Sequence, residues 1–299
     1  MATKSRYPTG VRPLLAGETA RRRRIESRFV DALAGAGFSE VVLPIIDYIE
    51  PYAALVEPAT AKQSYRFVDR EGDLIAIRSD FTPMLARALA PSIAPGALPL
   101  RLFYRGDVIR IEASRLGANR ELFQIGAEIV GDDSIDADVA MLRLAADLVR
   151  APCIEPEPNA EPTIVYNDVS IAAALIAQAG AVREALAAKR MTAGVPDALQ
   201  TIVAKLISGE ATLNDVAPFA PEAAARLSAI EEAVAGDAVF ALHLDDIEDS
   251  GYYTGLRFRV YAGSARTKVA QGGRYDNLYE RFGQRAAAIG FTFTIDDLD

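Results

Sequence analysis

The chain has 299 residues, 51% hydrophobic and 24% charged, the proportions of a globular protein with ample material for a core. One cysteine and one histidine exclude a disulfide framework, a thiolate cluster and any centre needing two imidazoles, so zinc-hydrolase chemistry is closed. A net charge of −9 argues against nucleic acid as the main partner, and no apolar run reaches the roughly 18 residues of a membrane span.

The start MATKSRYPTG lacks the apolar stretch of a secretory signal, so a cytoplasmic location with no membrane contact is expected. Residues 18–36 are predicted helical, because Ile25, Phe29 and Leu33 recur at spacing four and Gly35 and Gly37 end the pattern. Arg21, Arg22, Arg23 and Arg24 cannot share one helix face, and with Glu18 and Glu26 nearby they read as a solvated surface. A short strand at 41–43 stops at Pro44. Strands at 65–68 and 74–78 flank Asp69-Arg70-Glu71-Gly72-Asp73, a hairpin signature.

Thr82-Pro83 opens a helix, with the threonine expected as N-cap. Strands follow at 100–112 and 121–131, then a helix at 138–150 and a connector at 151–162 that carries four prolines. Residues 168–235 are alanine-rich and read as several short helices. Strands return at 239–244, 253–261 and 287–295. Hairpin-sized links predict an α+β fold, an antiparallel sheet flanked by helices with a helical insertion at about 168–235.

The strand Phe123-Gln124-Ile125-Gly126-Ala127-Glu128-Ile129 sorts with period two. Gln124, Gly126 and Glu128 share a face, and the glycine between an amide and a carboxylate predicts a vacancy for a small polar molecule. Arg110 and Glu112 sort the same way on the preceding strand. From these strands alone, a sheet with one solvated face is the favoured account of the alternation. Gly272-Gly273 is expected between a strand and a helix, where a tight turn also explains it. His243, between Leu242 and Leu244, reads as a strand residue, and Cys153 as inert.

Taken in order, the segments resemble one family. Ile109-Arg110-Ile111-Glu112 and Phe123-Gln124-Ile125-Gly126-Ala127-Glu128 resemble the second signature motif of class II aminoacyl-tRNA synthetases in its histidyl form. Gly251-Tyr252-Tyr253-Thr254-Gly255 and Gly272-Gly273-Arg274-Tyr275-Asp276 resemble two further histidyl-synthetase motifs. Arg78-Ser79-Asp80-Phe81-Thr82-Pro83 stands where those enzymes carry an Arg-Pro-Glu-Gly-Thr stretch. Pro44 after its strand suits the first class II motif, which lies at a dimer interface.

The departures bear on activity. Glu248, Asp297 and Ala118 stand where the resemblance implies arginines, two of which hold ATP. Exchanging guanidinium for carboxylate turns attraction for phosphate into repulsion, about 4 kcal/mol per close pair at an effective dielectric near 20. Adenylation is expected to be lost. No anticodon-binding domain is expected, and residues 1–299 are taken as one core domain. This combination resembles the regulatory-subunit family of ATP phosphoribosyltransferase.

That resemblance implies no catalytic residues and no cofactor. It implies a short-form catalytic chain as partner, histidine as effector, and a homodimer within a hetero-oligomer. In the implied site Asp80, Thr82 and Gln124 hold the ligand amino group and Arg110 its carboxylate. Glu128 and Tyr253 reach the imidazole, and Tyr252 and Tyr275 line the pocket. Glu248 would oppose the ligand carboxylate unless it points away or pairs with Arg110. The rival readings are a synthetase-like amino-acid-activating ligase, which needs ATP, and a scaffold without a pocket.

Overall fold

The computed structural model describes residues 7–52, 64–94, 96–111, 119–150, 161–244, 252–262 and 267–298. Glu112, Ala118, Cys153 and Glu248 lie outside the described residues, as does most of the predicted proline-rich connector.

Helix α1 (Ala16–Gly35) buries the expected stripe of Ile25, Phe29 and Leu33, and Phe29 meets Phe293 edge-on at 5.1 Å. Burying a phenylalanine in this way is worth about 1.5–3 kcal/mol. Arg23 and Arg24 are exposed, as the reading of a solvated surface expects, and Arg21 and Arg22 depart from it. Arg22 sits one turn before Ile25 and Glu26, on the border of the buried stripe. It pairs with Asp296 and stands over the Phe123 ring at 5.2 Å. Arg21 donates to the Leu298 carbonyl at 3.2 Å, and Arg23 pairs with Glu26.

Eight strands form the main sheet in the order β1–β5–β6–β11–β10–β9–β7–β8. They are β1 (Ser39–Glu40), β5 (Leu100–Ile109), β6 (Glu121–Val130), β7 (Thr163–Asp168), β8 (Phe240–Leu242), β9 (Leu256–Ala262), β10 (Thr267–Arg274) and β11 (Ala288–Thr294). The pairs from β5 across to β7 are antiparallel. The edges are not: β1 runs parallel to β5 and β8 parallel to β7. Each parallel pair is joined by a long excursion, the only kind of link that permits it. The first of these excursions holds a small antiparallel sheet, β2 (Ile46–Tyr48), β4 (Leu74–Ile77) and β3 (Arg66–Val68) in that order. Its β3–β4 hairpin is the expected one, with the Asp69 carboxylate accepting from the Glu71 and Asp73 amides.

Helix α2 (Thr82–Leu89) starts at Thr82 with Phe81 as its cap, so the threonine hydroxyl does not cap the helix as expected. Helix α3 (Ile135–Val149) is capped by Ser134, whose hydroxyl accepts from Ala137. The strand β7 has no counterpart in the sequence reading, which passes from the prolines directly to helices. Five helices follow: α4 (Val169–Gln178), α5 (Ala181–Ala187), α6 (Asp197–Ser208), α7 (Leu213–Val216) and α8 (Pro221–Ala233). Leu175, Val182, Leu199, Val203 and Leu227 join them to the main core. Gly272 and Gly273 lie inside β10, and the segment after it forms a short 3-10 turn, Tyr279–Phe282, in place of the expected helix. No helix among the described residues is long and apolar enough to cross a membrane.

One face of the main sheet is apolar: Phe103, Ile125, Ala127, Phe258, Phe291 and Phe293 pack in the same core as α1 and α3. The opposite face carries the site.

Candidate functional site

Strand pairing sets the floor of the site. One row across the sheet reads Leu102, Glu128, Gly290, Gly273, Arg257, Asn167. Two adjacent glycines therefore separate a carboxylate from a guanidinium across three inter-strand steps, roughly 14 Å. Neither glycine leaves idle space. A β-carbon at Gly290 would lie 1.5 Å from Glu128 Oε2, and one at Gly273 would lie 2.8 Å from Tyr253 Cδ1. The glycines let the Glu128 carboxyl and the Tyr253 ring lie down side by side on the backbone.

The next row on this face reads Tyr104, Gly126, Thr292, Gln271, Arg259, Val165. The vacancy expected at Gly126 is filled: a β-carbon there would come within 2.4 Å of the Tyr104 ring and hydroxyl. Tyr104 stacks on Phe81 at 4.5 Å and is fully buried. Glycine in a strand does signal a close approach, but here the approaching group belongs to the facing strand. The glycines that seat the Glu128 carboxyl and the Tyr253 ring lie one row away, at Gly290 and Gly273.

Glu128 is the centre of the arrangement. Its Oε1 accepts from Thr82 Oγ1 at 3.0 Å and from the Tyr104 hydroxyl at 3.2 Å, and its Oε2 accepts from Tyr275. Burial pushes the Glu128 carboxyl up to about 8, the hydroxyl bonds from Thr82 and Tyr104 pull against that, and Asp80 adds to it. Asp80 is also pushed up by burial, opposed by Arg110, and its carboxylate accepts from the Thr82 amide at 3.2 Å. Arg78 fixes this corner. Its guanidinium lies 4.3 Å over the Phe81 ring and donates to the carbonyls of Leu43 and Asp107.

Tyr252, Tyr253 and Tyr275 form an aromatic wall, with ring centroids 5.1 Å apart for the first pair and 5.6 Å for Tyr252 and Tyr275. Burial pushes the phenols of Tyr252 and Tyr253 up, and Asp80 does the same. Thr82, Glu128 and Tyr275 are thus in direct contact, and Tyr252, Tyr253 and Asp80 border them. Arg110 and Gln124 sit apart. Gln124 pairs with Gly106 and Thr294, four residues along the strand from Glu128. Arg110 lies past the end of β5, where its Nε reaches the Ser79 carbonyl at 3.5 Å.

Beside Tyr275, Arg274 belongs to a different centre. It donates to Asp138 at 3.0 and 2.6 Å, and Arg226 of α8 holds the other oxygen of the same carboxylate. Arg274 also binds the Asp132 and Ser134 carbonyls. Asp276 accepts from the Ala288 amide, and Thr254 Oγ1 from the Asp276 amide, so Tyr275 is pinned from both sides. Sequence reasoning missed Tyr104, Thr292 and Gly290. Their signal is the β5–β6–β11 register, which periodicity within one strand does not contain. Among the described residues no group of three His, Cys, Asp or Glu side chains could hold a metal ion.

Solved structures share this architecture. An ATP phosphoribosyltransferase regulatory subunit/histidyl-tRNA synthetase from Bacillus halodurans superposes with a TM-score of 0.83 at 22% identity, covering 100% of this chain and 83% of that one. Apo histidyl-tRNA synthetase of S. aureus gives 0.69 at 18% identity, over 99% and 73% of the two chains. The fold is therefore that of the class II aminoacyl-tRNA synthetase core. The histidyl-tRNA synthetase family profile matches residues 10–298. The ATP phosphoribosyltransferase regulatory subunit of Symbiobacterium thermophilum is 32% identical over 99% of this chain and 79% of its own. The protein of the same description from Anaeromyxobacter dehalogenans is 34% identical over 97% and 89%. The chain belongs to the histidyl-tRNA synthetase family, in its group of ATP phosphoribosyltransferase regulatory subunits.

Proposed function

We propose that the chain regulates ATP phosphoribosyltransferase without chemistry of its own, serving the first step of histidine biosynthesis and its feedback control by histidine. The observation that carries this reading is Glu128: a buried carboxyl served by three hydroxyls, lying beside the Tyr253 phenol over two glycines. Such a pair suits an imidazole N–H, and the Asp80 carboxylate suits an ammonium group. Arg110 serves the ligand carboxylate, Gln124 and Thr82 assist the amino group, and Tyr252 and Tyr275 wall the cleft.

Loss of adenylation rests on Asp297 in the place of an arginine, next to Asp296, which is occupied by Arg22 and the Phe123 amide. The partner is a short-form catalytic subunit. The exposed apolar side chains Val42, Ile45, Ile46 and Tyr48, around Pro44, support a homodimer inside that hetero-oligomer. The helices between β7 and β8 are an insertion in a single core domain, and a cytoplasmic location accompanies the biosynthetic role. Control requires histidine to bind two quaternary states unequally, with a coupling of about 1–3 kcal/mol.

Mixing the chain with a short-form catalytic subunit is expected to raise turnover and to confer inhibition by histidine; absence of both effects rejects the proposal. Histidine is expected to raise the melting temperature of the chain, and Glu128→Ala to abolish that rise. Amino-acid-dependent pyrophosphate exchange would favour the ligase reading instead.

A further inference from the structure

Tyr104 lies outside the set of residues that the motifs single out, and its hydroxyl has a position that packing does not require. It stands 3.2 Å from Glu128 Oε1 on one side and 2.7 Å from Thr292 Oγ1 on the other, with Thr82 Oγ1 farther off at 3.4 Å. A phenol owns one proton, and a threonine hydroxyl can donate or accept by rotating. With Glu128 ionised, Thr292 donates to the Tyr104 oxygen and Tyr104 donates to Oε1. With Glu128 protonated on Oε1, the carboxyl donates to the Tyr104 oxygen and the phenol proton turns to Thr292. Both arrangements give the Tyr104 proton and the Glu128 carboxyl a partner, in a setting where an unmade bond is costly.

We propose that Tyr104 and Thr292 form a reversible hydroxyl relay that lets Glu128 keep its proton in the empty cleft and present a bare carboxylate to a ligand N–H. Tyr104 is a positioning residue in this scheme, since it acts through Glu128. Meanwhile Tyr275 holds Oε2 over Gly290, so the carboxyl changes charge without changing place. Other groups act on Glu128 among the described residues. Thr82 donates to Oε1 from α2, and Asp80 faces Glu128 with Arg110 acting on Asp80 in turn. Tyr252, Tyr253 and Tyr279 are phenols held protonated by burial, and Arg257 acts on Tyr253.

The relay makes two substitutions act in opposite directions. Tyr104→Phe keeps the ring and removes a donor to the ionised carboxylate, so protonated Glu128 should persist to higher pH. Thr292→Val leaves the Glu128 bonds intact and removes the nearer outlet for the phenol proton, leaving the longer contact to Thr82 Oγ1 at 3.4 Å, so the protonated form should be lost at lower pH. Each displacement is expected to be on the order of one pH unit. A residue that merely packs would not produce shifts of opposite sign.

The test is infrared titration of the ligand-free chain, following the carbonyl stretch of the protonated carboxylic acid, with Glu128→Gln identifying the band. Midpoints that rise in Tyr104→Phe and fall in Thr292→Val support the relay; midpoints that stay with the parent, or move together, overturn it. If Tyr104→Phe does not fold, the fall in Thr292→Val decides alone. A second arm rests on the histidine reading: calorimetry should show Tyr104→Phe binding histidine roughly tenfold more weakly near neutrality and recovering as the pH rises. An equal loss at every pH counts against the relay. Parent protein that titrates as expected yet binds no histidine would reject the ligand and leave the relay standing.

Discussion

Arg274 and Tyr275 are neighbours in the chain, yet each serves a different buried carboxyl, and the two centres differ in kind. Asp138 is gripped by two guanidiniums, from Arg274 on the sheet and Arg226 on α8. Among the described residues, Glu128 takes its hydrogen bonds from hydroxyls, those of Thr82, Tyr104 and Tyr275. A cation fixes the charge of an acid and makes the acid a structural tie. Hydroxyls satisfy an acid without fixing its charge, which leaves it able to respond to whatever enters the cleft. The first centre ties β10 to α3 and α8, while the second lies open to chemistry.

The contrast can be broken most severely at the first centre. Asp138→Ala removes the buried carboxylate that Arg274 and Arg226 share and should lower the stability to chemical denaturation by about 3–5 kcal/mol. At the second centre the effect should depend on pH. Burial raises the Glu128 carboxyl to about 8, so the folded protein keeps a proton that the unfolded chain gives up. The stability that this provides is fully present at acid pH and is lost as the pH climbs through about 8. Glu128→Gln should flatten that decline, by a few kcal/mol across the window, in denaturation curves taken from pH 5 to 9. A parallel decline in both proteins would show Glu128 to be charged throughout. A smaller effect is expected from Gly290→Ala, about 1–3 kcal/mol of stability from overpacking, together with loss of the histidine-induced melting shift.

Much of this was legible in the one-dimensional pattern, and the failures share a cause. The helix at α1, the β3–β4 hairpin and the alternation in β6 depend on neighbours along the chain, and periodicity reports those. Tyr104 beside Gly126, Glu128 over Gly290 and Arg22 on Asp296 are pairings between distant segments, so periodicity alone makes Gly126 read as empty and Arg22 as solvated. Strand β7 was overlooked because the prolines before it masked the start of a strand whose residues Ile164 and Tyr166 face the core. The proposed site residues were found through motif resemblance, which carries tertiary information that a single chain's periodicity does not.

The paired glycines at 273 and 290 also bear on how such a cleft can change over evolutionary time. Any replacement at either position introduces at least one carbon where Tyr253 or Glu128 already rests, so the recess cannot be narrowed by small increments. Lineages descending from this fold should therefore divide into those that retain both bare backbone positions and those in which the recess has closed in a single step.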